Sequence, residues 1–121
     1  MSRTTRPQSH ASVLRRRRLS PRRLDELIEQ AIVDAYGPAE QAVGFHATLD
    51  QHLECPFETL VLGTAVTVRK IDVTAAGNIV AICYRGRERQ AIPILQLPLP
   101  DPPPSGWEWI EAYRRWARGY W

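Results

Sequence analysis

A chain of 121 residues, 44% hydrophobic and 24% charged, suffices for one globular domain with a modest core. No run approaches the ~18 apolar residues that cross a bilayer, and the basic N-terminus lacks the apolar stretch of a secretory signal, so cytoplasm is the expected location. The net charge of +3 hides a division: residues 1–23 hold eight arginines and no acid, whereas the remainder holds the other 8 of the 16 basic residues and all 13 acids, a net of −5.

Residues 1–19 read as a disordered basic arm, because residues 1–18 show no apolar periodicity and Arg15, Arg16, Arg17 and Arg18 form a run of like charge. Such an arm suits nucleic acid, anionic lipid or an acidic partner protein, or simply a solvated tail. A single α+β domain is expected over residues 20–121. Ser20-Pro21 predicts a helix start, and Leu24, Leu27, Ile28, Ala31, Ile32 and Ala35 follow at helical spacing to about residue 36. Gly37-Pro38 predicts its end. A second helix, about 39–54, carries Ala42, Phe45, His46, Leu49 and Leu53 on one stripe, with Gly44 as a weak point and Pro56 as the stop. The pair reads as a helical hairpin.

The period then changes to two, predicting strands at 57–62, 64–73, 79–85 and 89–94. In the second strand Val66 and Val68 share one parity while Ile71 and Val73 take the other, which predicts a bulge near Arg69-Lys70. Pro93 belongs at an edge or a strand end, and 94–97 reads as a short helical turn. These features predict a small SH3-like antiparallel β-barrel over residues 57–97. Five prolines make 98–104 a stiff linker. Ser105 and Glu108 then suggest a capping box for a last helix, 106–118, with Trp109 and Trp116 on its packing face and Glu111 spaced to pair with Arg115.

No catalytic motif is present, which argues against an enzyme: the sequence contains no P-loop, GxGxxG, GxSxG or HExxH. His52 and Cys55 supply two zinc-type ligands where a structural site needs four. The body's carboxylates are the more informative group. Asp50 and Glu54 lie four apart, where like charges repel unless a cation sits between them. Glu58 follows on the first strand, and Asp72, Thr74 and Asn78 place three oxygen side chains around a hairpin loop. Hard cations such as Ca²⁺ take several oxygens of these kinds; spacing alone favours reading the same residues as surface acids and turn formers.

Residues 42–118 resemble the CcbP-type bacterial calcium-binding proteins. The likeness lies in His52-Leu53-Glu54-Cys55-Pro56-Phe57-Glu58, in residues 63–72 (GTAVTVRKID), in Ala91-Ile92-Pro93-Ile94-Leu95-Gln96-Leu97 and in the Trp-containing segment 109–116. The resemblance implies a small non-enzymatic protein that holds Ca²⁺ on surface carboxylates without an EF-hand. On this chain the implied ligands are Glu54, Glu58, Asp72 and Asp50, with Asp72 foremost and an expected affinity of micromolar or weaker. Two other functions fit the residues. One is a nucleic-acid module contacting phosphate through Arg15, Arg16, Arg17, Arg18, Arg85, Arg87 and Arg89; the other is a protein-interaction adaptor built on the barrel.

Overall fold

The computed structural model describes residues 19–119. The expected arm, with Arg15 to Arg18, lies outside the described residues apart from Leu19, as does Trp121. The chain runs as helix α1 (Pro21–Ala31), helix α2 (Pro38–His52), strands β1 (Phe57–Val61), β2 (Thr64–Val73), β3 (Ile79–Arg85) and β4 (Glu88–Pro93), a 3₁₀ turn (Ile94–Gln96) and helix α3 (Trp107–Ala117).

Ser20 caps α1 as its sequence predicts: its hydroxyl oxygen accepts from the Arg23 N–H at 3.1 Å, and Pro21 opens the first turn. The helix ends earlier than Gly37-Pro38 suggested. It stops at Ala31, and the Ile32 N–H closes on the Ile28 carbonyl. Asp34 then turns the chain with φ 63°, a conformation Asp tolerates better than most residues. Gly37 opens α2 instead of closing α1. The early end coincides with the helix crossing. A Cβ on Gly44 would stand 2.4 Å from the Ala31 carbonyl oxygen, so only glycine lets α2 pass that close.

The strands form an antiparallel meander in the order β1-β2-β3-β4. The structure is thus α+β, with the helical pair before the sheet and one helix after it. Among the described residues β1 and β4 are the two edges, and no ladder joins them into a ring. The parity slip in β2 is a register shift: Val68 pairs with Cys83 and Lys70 with Ile82, leaving Arg69 as the extra residue. Val68 and Ile71 are consequently both buried although their positions differ in parity. Pro93 ends the edge strand β4.

The core lies between the sheet and the helices. Leu27, Ile28, Phe45, Leu49, Ile94, Leu97 and Ile110 are sealed from solvent. Phe45 meets Tyr113 edge-on, with ring centres 5.5 Å apart, and Trp116 at 5.4 Å. Trp109 and Trp116 pack as their helical stripe required, and Trp107, off that stripe, is buried as well.

Two expectations at α3 are corrected. Gly106, not Ser105, is the N-cap, and no side chain caps the helix. A Cβ at residue 106 would lie 2.2 Å from the His52 carbonyl oxygen, so tight docking on the end of α2 selects glycine there. The Ser105 carbonyl accepts from the Glu54 N–H at 2.8 Å instead. Glu111 pairs with Arg114 at 3.2 Å rather than with Arg115, because Arg115 reaches across to Asp25 of α1 at 2.8 Å.

Candidate functional site

The carboxylates singled out in the sequence fall into separate places. Asp50 sits in the last turn of α2, and Glu54 follows Leu53, where the chain leaves helical geometry. Both are exposed, and both act on the thiol between α2 and β1: Cys55 has its pKa raised first by burial, then by the negative charges of Asp50 and Glu54. Both acids therefore lie within electrostatic reach of the same thiol.

Glu58 is exposed on β1, opposite Thr67 of β2. It lines a groove of about 580 Å³ with Leu60, Ala65 and the segment from Pro98 to Asp101. The Thr59 hydroxyl donates to the Pro98 carbonyl at 2.6 Å and holds that proline segment against β1. A second acid, Asp101, thereby joins Glu58 on the same groove. Sequence reading passed over Asp101; its signal was a lone acid inside a proline run.

Asp72 stands apart. It lies within β2, paired with Val80, and its Oδ1 accepts from the Val73 N–H at 2.8 Å. Thr67, opposite Glu58, is five positions back along the strand, about 16 Å at ~3.3 Å per residue. One Ca²⁺, with bonds of roughly 2.3–2.6 Å, does not span that gap, so Glu58 and Asp72 do not share an ion. Both oxygens of Thr74 serve the turn: the Asn78 N–H donates to Thr74 Oγ1 at 3.1 Å, and the Gly77 N–H to the Thr74 carbonyl at 2.9 Å. Among the described residues no three His, Cys, Asp or Glu side chains gather into a metal-holding group. His52 stacks on Trp109 with ring centres 5.2 Å apart, and the His46 Nε2 lies 3.2 Å from the Ile71 carbonyl. Both rings thus have structural partners.

Arg85, Arg87 and Arg89 are exposed around the β3–β4 turn. Tyr84 and Arg89 are register partners, and the Arg69 guanidinium lies over the Tyr84 ring at 4.7 Å. Sequence reading missed that stack, which depends on how β2 is set against β3. No helix among the described residues is long and apolar enough to cross a membrane.

The fold is similar to that of Anabaena CcbP, with a TM-score of 0.67 and 20% sequence identity over 83% of this chain and 93% of that one. It is also similar to a structure described as a calcium-binding protein in the calcium-binding form, with a TM-score of 0.64 and 22% identity over 81% and 92%. No curated protein sequence matches significantly. The CcbP family profile, described as calcium binding, matches residues 25–117, from Asp25 within α1 to the end of α3. A match over most of the chain, on a fold shared with Anabaena CcbP, makes this protein a member of the calcium-binding CcbP family.

Proposed function

We propose that the chain is a non-enzymatic Ca²⁺ binder whose ion is held by exposed carboxylates at the α2–β1 junction. The observation that carries the choice of place is that Asp50, in the last turn of α2, and Glu54, just after it, both act on the Cys55 thiol at the entry to β1. A divalent cation at this junction would offset the negative charge of both acids while adding charge-assisted oxygen contacts. Glu58 with Asp101 across the neighbouring groove is a second two-carboxylate arrangement, and Asp72 a third, single donor whose carboxylate is already bonded once. Backbone carbonyls and water would complete any of these shells. With two carboxylates rather than four, affinity should be micromolar or weaker, and Mg²⁺, which demands a tighter octahedron, should compete poorly.

Calorimetric titration of the full chain with Ca²⁺ and with Mg²⁺ tests this reading. Asp50→Asn and Glu54→Gln should each weaken calcium binding, and the double variant should lose less than the sum of the two, as expected for groups on one ion. If Glu58→Gln or Asp72→Asn weakens binding while those two do not, the ion sits elsewhere. No heat at millimolar Ca²⁺ would remove the function from this chain.

A further inference from the structure

The cations of residues 24–121 are unevenly placed. Two are on α3 and engaged, Arg114 with Glu111 and backbone carbonyls and Arg115 with Asp25, and Arg118 is the residue that closes the helix. The other five, Arg69, Lys70, Arg85, Arg87 and Arg89, lie on β2, β3, β4 and the β3–β4 turn. Among the described residues none of these five makes an ion pair. In a body of net negative charge, this concentration of unpaired positive charge is local and exposed.

An apolar tip stands beside it. In a meander the β1–β2 and β3–β4 turns share one end of the sheet, and Leu62, Arg85 and Arg89 line a common groove of about 600 Å³. Its walls include Val61, Val66 and Ile92, and Glu88 is the one acid on it. Leu62 is 100% exposed at the β1–β2 turn. Its φ of 51° is a left-handed conformation that Gly or Asn would adopt more easily. A leucine in that position gains nothing in stability from burial or from backbone preference.

We infer that this end of the sheet docks on an anionic lipid surface, with Leu62 reaching into the interface and Arg85, Arg87 and Arg89 meeting phosphate headgroups. The charge complementarity would suit nucleic acid too, but a leucine wedge there has to unstack bases, whereas a bilayer interface receives it without that cost. The Tyr84 ring, moreover, already carries Arg69 on one face, so it is a poor platform for a base. A shallow apolar tip ringed by cations is the arrangement that binds at a bilayer interface without spanning it.

The test is co-sedimentation of the full chain with vesicles of phosphatidylcholine alone or mixed with phosphatidylglycerol, in EDTA so that calcium plays no part. Wild type should pellet only with the anionic vesicles. An Arg85→Ala, Arg87→Ala, Arg89→Ala variant should partition more than about tenfold less, since each arginine near such a surface contributes roughly a factor of five. Leu62→Asn, which keeps every charge and suits the left-handed turn, should also lower partitioning several-fold. Wild-type partitioning by both variants would assign binding to the N-terminal arginines and overturn the inference, as would no vesicle binding at all. Loss in the arginine variant with none in Leu62→Asn, accompanied by tight binding of a single-stranded oligonucleotide, would overturn it in favour of nucleic acid.

Discussion

Gly44 and Cys55 show how much of this protein is decided by single positions. A glycine in mid-helix ordinarily costs ~1 kcal/mol against alanine. Here the methyl group of Gly44→Ala would meet a backbone oxygen that cannot rotate away. We expect the variant to be less stable by about 1–3 kcal/mol, the range for overpacking, as measured in urea; a stabilised variant would mean that α1 and α2 can separate freely. Cys55 offers a direct reporter of the proposed calcium site. Burial and the charges of Asp50 and Glu54 hold its thiol above the ordinary value of 9.0, so less thiolate exists at neutral pH. Asp50→Asn or Glu54→Gln should therefore speed its reaction with a thiol reagent at pH 8. Calcium bound between those carboxylates should do the same in wild type, and unchanged reactivity at saturating calcium would place the ion elsewhere.

At the level of elements, α3 is held by arginines whose partners differ in kind. Arg114 donates through Nε and Nη2 to the Ile94 carbonyl at 3.2 and 3.0 Å, through Nη2 to the Leu97 carbonyl, and through Nη1 to Glu111. Burial lowers its pKa, and Glu111 opposes that shift. The guanidinium thus caps the 3₁₀ turn that follows β4. Arg114→Met should cost about 2–3 kcal/mol, because carbonyls that relied on a charged donor lose it, and Arg114→Lys should recover little, since an ammonium lacks the planar fork. Arg115 with Asp25 joins α3 to α1, but both side chains are more than a third exposed, at 37% each. Solvent screening limits that pair, and Asp25→Ala should cost less than about 1 kcal/mol. Equal losses in the Arg114 and Asp25 variants on chemical denaturation would contradict this ranking.

For the whole molecule, alkaline pH is the weak direction. Burial raises the thiols of Cys55 and Cys83 above 9.0 and the Tyr113 phenol above 10.0, the last partly offset by a hydrogen bond with the Ile79 backbone. Where folded pKa values exceed unfolded ones, the native state binds more protons, so stability is full below the unfolded values and falls as pH rises through the folded ones. Thermal stability should therefore decline from about pH 9 upward. Cys83→Ala should reduce that slope, and a midpoint flat from pH 8 to 11 would refute the account.

What the sequence alone determined was the order and type of the elements, because each rests on local rules. Alternating β-branched residues made β2 and β3 at the predicted bounds, the parity slip located the bulge, and Ser20-Pro21 started α1. The family likeness was legible for the same reason, since its motifs are fold-determining segments such as 52–58 and 63–72. Tertiary structure decided everything that depends on one segment meeting another. The end of α1 follows from its crossing with α2 at Gly44, and the cap of α3 from its docking against His52. The choice of Arg115 for Asp25 spans 90 residues, beyond any local spacing rule. The candidate site divides in the same way. Asp50 and Glu54 are near in sequence and both act on the thiol that follows them, whereas the distance from Glu58 to Asp72 and the arrival of Asp101 beside Glu58 depend on strand register and on the path of the proline segment. Carboxylates become ligands by converging, and convergence across strands is set by a register that no single stretch of sequence contains.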